Sequence, residues 1–345
     1  MEHLKLIIPS LLIDPKVVPI ESFASQIAVK QTEALLARSV RKQGLMQGSM
    51  GALLEHYGVP VQPNKDLPVA PISRLGDGGS EDDAYWLRLD PVYLHPDRDS
   101  MVMFSNEAMV VELDEAKALA SEVEAHFADL NWKIEVLHPK RWYLRLEKDP
   151  LVRTYGLNEV VGRHVFDFFP FGETGRQWHS LLNEIQMLLH ASPVNVARQS
   201  KGHMPINALW PWGGGRLPVI SHNACAVYGS DELVRGMMSL AGGRVAANVS
   251  GFEALMIEND TALTPVVILD NLARALDEQN IQQWLDGLHL IDSTWFSPIR
   301  NALKSNTLKQ LTLYTADGAV LESSAKMQRR LWCKRRSILT YASSE

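Results

Sequence analysis

Cysteine is scarce: two in 345 residues, Cys225 and Cys333, far apart and in no CxxC pair. This argues against a disulfide framework and a cysteine-built zinc site, and it suits a reducing compartment. Long apolar runs are missing too. None approaches the ~20 residues that cross a bilayer, so no membrane span is expected. The opening MEHLKLIIPSLLIDP has an apolar stretch the length of one buried strand. It lacks the basic leader and small-residue cleavage site of a signal peptide, and a cytoplasmic location is the expectation. Positive charge is in deficit, with 34 Lys and Arg against 40 Asp and Glu and a net charge of −6. No overall field draws in phosphate backbones, which argues against general nucleic-acid binding. HxxxH, HExxH and GxSxG are all absent, removing the usual helical zinc pair and the nucleophile elbow.

What remains is an ordinary globular composition, 46% hydrophobic and 21% charged, long enough for one large α/β domain or two medium ones. Residues 4–12 read as a buried strand ended by Asp14-Pro15, and residues 27–56 follow with helical spacing. Between 59 and 83, four prolines precede Gly76-Asp-Gly-Gly79 and an acidic cluster. This texture predicts a long loop or boundary without regular structure. Residues 101–104 and 142–146 read as strands. Helices are predicted over 113–127, with Asp114 as N-cap, and over 176–190, stopped by Ser192-Pro193. The last third returns to a strand–helix rhythm. Ser230 is expected to cap a helix closed by Gly242-Gly243, strands are placed at 265–270 and 309–315, and a helix at 279–290. Strand–helix alternation at both ends around a different middle suggests a parallel α/β core with an insertion.

The densest run of unusual residues is 190–218. It sets His190, Asn195, Arg198, Lys201, His203, Asn207 and Arg216 among aromatics and glycines. Gly213, Gly214 and Gly215 would let backbone N–H groups approach an anion closely, as in a phosphate-cradling nest. The competing reading is a tight turn joining two domains, with the polar residues in buried hydrogen bonds. The tail differs in kind: Lys326, Arg329, Arg330, Lys334, Arg335 and Arg336 fall within eleven residues without an acid, interleaved with Leu331 and Trp332. It suits docking to a partner, a nucleic acid or an anionic membrane surface, or a helix lying back on the acidic body.

The pattern His190-x-x-Pro-Val-Asn195-x-x-Arg198, then Gly202-x-x-Pro-x-Asn207-x-x-Trp210 and glycines before Leu217-Pro218, resembles the archaeal-type cofactor-independent phosphoglycerate mutases of the alkaline phosphatase superfamily. Three further stretches look like a bacterial phosphoglycerate mutase-like group, the Rpf-type regulatory protein E family: Trp86-Leu-Arg-Leu-Asp90-Pro-Val-Tyr-Leu94, Asp97-Arg-Asp99 and Asn183-Glu-Ile-Gln-Met-Leu-Leu-His190. The resemblance implies an α/β fold, an alkaline-phosphatase-like doubly wound sheet with an inserted α+β domain. Residues 1–80 and 216–345 would form the core and 85–215 the insert.

It also implies two catalytic metal ions held by Asp and His at strand ends, activating a Ser or Thr nucleophile. The sequence departs from that pattern. Ser10 stands where the mutases carry a metal-binding Asp, a single histidine, His289, follows His222, and Ala316-Asp317-Gly318 stands where an Asp-His pair belongs. Asp270, Asp286 and Asp292 remain as vestiges, or as plain surface carboxylates. The expectation is therefore a non-catalytic protein with no metal or other cofactor and a regulatory or phosphometabolite-binding role. Its phosphorylated small molecule would meet Arg163, His190, Asn195, Arg198, Asn207 and Arg216, since arginine offers paired donors to phosphate. The alternatives are an active metal-dependent phosphomutase or phosphatase with a rearranged metal site, and a scaffold that takes a protein partner through the basic tail 326–336.

Overall fold

Alternation begins at once: Leu4 and Leu6 are wholly buried on a first strand whose odd residues are only part-covered at His3 and Lys5. The computed structural model describes the chain apart from residues 14–20, 45–47, 60–64, 98–99, 105–108, 221–224, 230, 247–248, 259–262, 279, 316–317, 331 and 343–345. Strand β1 (His3–Ile7) leads to α1 (Lys30–Leu36), β2 (Val40–Gln43) and α2 (Gly48–His56). The middle carries α3 (Val69–Gly76), β3 (Tyr85–Asp97), β4 (Ser100–Phe104), α4 (Leu113–His126), β5 (Lys133–His138), β6 (Arg141–Leu146) and β7 (Val152–Arg153). It continues with α5 (Leu157–Val160), β8 (Phe171–Gly172), α6 (Gly175–Ala191), α7 (Pro193–Ser200) and β9 (Ala208–Gly215). Next come β10 (Cys225–Tyr228), α8 (Glu232–Ala241), β11 (Arg244–Ala246), α9 (Phe252–Glu258), β12 (Thr264–Ile268), α10 (Asn271–Asp277) and α11 (Ile281–Ile291). The chain closes with α12 (Ser297–Ser305), β13 (Gln310–Tyr314), β14 (Ala319–Ser324), α13 (Ala325–Gln328) and α14 (Leu339–Ala342). Among the described residues no helix is long and apolar enough to cross a membrane.

These elements form two units. One comprises Met1–Val61, Ile220–Val234 and Met238–Glu345; the other comprises Gln62–Val219 with Arg235–Met237. The first holds a seven-stranded sheet in the order β11-β10-β12-β1-β13-β14-β2. Its first five strands run parallel, with Lys5 opposite both Val266 and Thr312. Strands β14 and β2 are antiparallel additions at one edge. Leu4, Leu6 and Ile8 pack with Leu35, Trp284, Leu288, Phe296 and Leu303 in the main core.

The second unit is built on β3, which is antiparallel to β4, β6 and β9. Its odd residues Leu87 and Leu89 join a core with Leu119, Val123, Trp178 and Ile185 from α4 and α6. On the other side, Trp86 clusters with Ala70 and Tyr143.

The structure corrects several sequence expectations. Residues 27–56 form two short helices separated by β2, not one helical stretch. All four β2 residues are exposed, so this edge strand has no apolar alternation to betray it. The stretch 59–83 does hold a regular element, α3. Pro71 falls in its first turn, where an amide N–H has no intrahelical partner to lose. The cap of α4 is Glu112, in a reciprocal capping box with Glu115, and not Asp114. Ser230 lies outside the described residues; Asp231 accepts from Val234 N at 2.7 Å and caps α8.

Candidate functional site

Ser192 stops α6 and caps α7, its hydroxyl accepting from Val194 N at 3.2 Å. Asn195, on α7, is buried. Its amide donates to the carbonyls of Leu189 and Ile206 and accepts from Ile206 N, all at 2.8 Å. Arg198 is wholly buried one turn later. Its guanidinium donates to Met204 O, to Val110 O at 2.7 Å and to the Glu115 carboxylate. Asn207 grips β3 by accepting from Leu94 N at 2.8 Å and donating to Leu94 O at 2.9 Å, just before β9 takes up the pairing. These three side chains therefore stitch α6, α7, α4 and β3 together through polar groups that burial would otherwise strand. The other three expected contacts, Arg163, His190 and Arg216, are exposed. The Arg163 guanidinium lies 5.7 Å from the Phe168 ring centre.

The glycine run does not make a turn or a nest. Gly213, Gly214 and Gly215 end strand β9, and the space beside them is already filled. A Cβ on Gly213, whose φ is +66°, would lie 2.8 Å from Val69 Cβ; on Gly214, 2.6 Å from the Tyr85 hydroxyl; on Gly215, 2.7 Å from Pro68 Cβ. The glycines let the start of α3 and Tyr85 close on the strand, and that contact occupies the surface an anion would need.

A polar centre missing from the predicted site set lies on the same sheet. Arg88 and Asp90, two apart on β3 and so on one face, form a buried two-bond pair at 2.8 and 2.7 Å. Trp212 Nε1 donates to Asp90 at 2.8 Å, and Arg88 reaches the Ser73 hydroxyl at 3.3 Å. Nearby, Asp77 accepts from Arg141 twice at 2.7 Å and from the Tyr143 hydroxyl at 2.6 Å. Burial works to raise the Asp77 carboxyl; the bonds from Arg141 and Tyr143 outweigh it and hold the carboxyl below its ordinary range. The i,i+2 charge pair within the apolar run of residues 85–94 was the available signal. This centre is closed and mutually satisfied, a framework and not a cleft.

In the first unit, the carboxyl ends of the parallel strands are where an open α/β sheet presents its ligands. After β1, Ile8 N donates to Tyr314 O, and Ser10 takes a left-handed φ of 60° while its carbonyl accepts from Trp284 Nε1 at 3.0 Å. After β12, Asp270 is half-exposed and paired with Arg274 at 2.7 Å. After β13, the Thr315 hydroxyl donates to Ala319 O at 3.1 Å. Asp286 accepts from Gln282 on the exposed face of α11, and Asp292 accepts from Thr32 N and Oγ1 at 2.6 and 2.7 Å. Asp14, His222 and Asp317 lie outside the described residues, as does Asp99. Among the described residues no three His, Cys, Asp or Glu side chains gather as a metal cage. The donors that are described at these strand ends are hydroxyls and already paired carboxylates, a set that does not fit a two-metal Asp/His centre.

No model of a known protein family matches the chain. Sequence comparison finds weak homology to cofactor-independent phosphoglycerate mutases. A probable 2,3-bisphosphoglycerate-independent phosphoglycerate mutase of Geobacter sulfurreducens is 26% identical over 223 residues, 60% of this chain and 53% of that protein. The 2,3-bisphosphoglycerate-independent phosphoglycerate mutase of Methanosarcina barkeri is 26% identical over 91 residues, 25% of this chain and 23% of that one. The chain thus spans about a quarter to about half the length of these relatives. Among solved structures, the PH0037 protein from Pyrococcus horikoshii matches with a TM-score of 0.53 at 14% identity, over 94% of this chain and 87% of that one. That likeness is one of fold.

Proposed function

We propose that this chain is a phosphoglycerate mutase-like protein that no longer performs metal-dependent phosphoryl transfer and acts in regulation by binding. The observation that carries the proposal is the chemistry at the carboxyl ends of the core strands. Among the described residues there, Ser10 carries a hydroxyl, the Thr315 hydroxyl is bonded to Ala319 O, and Asp270 is tied to Arg274. Superfamily catalysis needs several free Asp and His donors there to clamp a transferring phosphoryl group. An alkaline-phosphatase-like core with an inserted domain accords with the sequence likeness to the mutases; the regulatory role rests on the Rpf-type resemblance of the sequence alone. The ligand in this proposal is a phosphorylated small molecule. Arg163, His190 and Arg216 are the expected contacts that remain exposed to it, whereas Asn195, Arg198 and Asn207 hold the scaffold.

The experiment is a pair of assays on the full chain with added manganese or zinc. Interconversion of 2- and 3-phosphoglycerate and hydrolysis of a phosphomonoester should both stay at the protein-free rate, while calorimetry with phosphoglycerates should show binding that weakens in Arg163→Ala. Turnover dependent on manganese or zinc would establish the rearranged-site alternative instead. Calorimetry without heat would remove the phosphometabolite and leave the scaffold reading.

A further inference from the structure

The basic tail is the one motif that the proposed function leaves unused, and the structure shows what surrounds it. Arg38 Nε donates to Arg330 O at 2.8 Å, Arg329 donates to Lys304 O at 2.9 Å, and Arg300 reaches Gln328 at 3.4 Å. The described residues of 326–336 therefore lie beside Arg38, just after α1, and beside Arg300 and Lys304 of α12, extending a basic face on an acidic chain. Carboxylates answer it sparsely. Among the described residues, Glu33 meets Arg335 at 3.2 Å, and Asp292, engaged by Thr32, is the acid beside Arg300. The crowding is felt electrostatically: after burial, the charges of Arg300 and Arg38 push the Lys304 ammonium down. Lys326, Arg329, Lys334, Arg335 and Arg336 are exposed. In their midst Trp332 is 78% exposed, whereas Tyr341 packs back against the core.

We propose that this face, the described residues of 326–336 beside the cations of α12, docks on an anionic lipid surface, with Trp332 as its interfacial anchor. Cations near such a surface attract its phosphates and act within a Debye length of ~8 Å at physiological salt, so the patch works despite the net charge of −6. A single exposed indole among arginines suits the headgroup layer, where tryptophan is enriched. A single-stranded nucleic-acid surface would instead need successive aromatic faces along a basic groove, and Trp332 is the one aromatic residue of 326–336. Electrostatic attraction and an exposed aromatic that can enter the interface combine two signals, as stable surface anchoring takes.

The test is co-sedimentation of the full chain with vesicles of phosphatidylcholine alone or mixed with phosphatidylglycerol. Binding to the mixed vesicles only, abolished by high salt, is expected. Lys334→Ala with Arg336→Ala should weaken it about 25-fold, taking roughly fivefold for each cation near the surface. Trp332→Ala should also weaken it, with far-UV circular dichroism and Tm unchanged in each variant. No binding to the mixed vesicles, equal binding to phosphatidylcholine alone, or indifference to Trp332→Ala would each overturn the proposal. Oligonucleotides that bind more tightly than vesicles and depend on the same residues would overturn it in favour of a nucleic-acid surface.

Discussion

His56, at the end of α2, has Nδ1 2.6 Å from Lys5 Nζ. Burial, and then the charge of Lys5, push its pKa from 6.5 down to about 4. The ring is thus neutral in the fold at pH 7, while in the unfolded chain it takes up a proton near its ordinary pKa. Between those two values the unfolded state binds more protons, so stability falls as pH drops from about 6.5 toward about 4. The loss is of order 3 kcal/mol across that window, and His3, also lowered by burial, adds in the same direction. Urea midpoints measured from pH 7 to pH 4 should decline, with a shallower slope in His56→Gln. An equal slope would remove the assignment. A lone histidine in a helix carries no mark of this in the sequence, because the partner lysine is 51 residues away.

Arg198 makes the complementary case, a residue conspicuous in the sequence whose role depends on burial. It sits in a motif that invites a phosphate, yet its exposure is 0% and its guanidinium is bonded to Met204, Val110 and Glu115. Arg198→Ala removes the guanidinium from the Glu115 carboxylate and from the Met204 and Val110 carbonyls and should cost about 3–5 kcal/mol, read from chemical denaturation. A loss below 1 kcal/mol would mean that these contacts are dispensable in solution. The sequence supplied residue type and spacing; whether an arginine faces solvent or spans two helices is decided by tertiary packing.

For single elements, legibility follows periodicity. The strands at 101–104 and 142–146 and the long helix at 176–190 emerged within a residue or so of β4, β6 and α6, because each carries a regular apolar pattern. The misses were elements that break the rule. Strand β2 is exposed throughout, and α3 hides behind prolines that its first turn tolerates. The glycines of β9 were misjudged for a related reason: their task is close approach to α3, and only the fold shows that neighbour. Gly214→Ala would set a Cβ 2.6 Å from the Tyr85 hydroxyl and 2.9 Å from Leu87 Cδ1. We expect a destabilisation of about 1–3 kcal/mol from that overlap. Unchanged stability by thermal melting would show that the strand can yield.

At the scale of the whole molecule, the sequence announced a mixed α/β chain through its strand–helix rhythm and pointed to the mutases through motifs at 190–218. The weak homology supports that direction. The site proved less legible than the fold. Three polar residues of that motif, Asn195, Arg198 and Asn207, make buried bonds that hold the scaffold, which their type and spacing alone do not reveal. The proposed loss of metal chemistry centres on the strand ends, where Ser10, Thr315 and a paired Asp270 stand. Metal stoichiometry tests it most directly: the full chain, purified without chelators and dialysed against manganese and zinc, measured by elemental mass spectrometry. Metal should stay far below one equivalent per chain. Two equivalents, retained after buffer exchange, would contradict it and make this an active phosphomutase or phosphatase candidate.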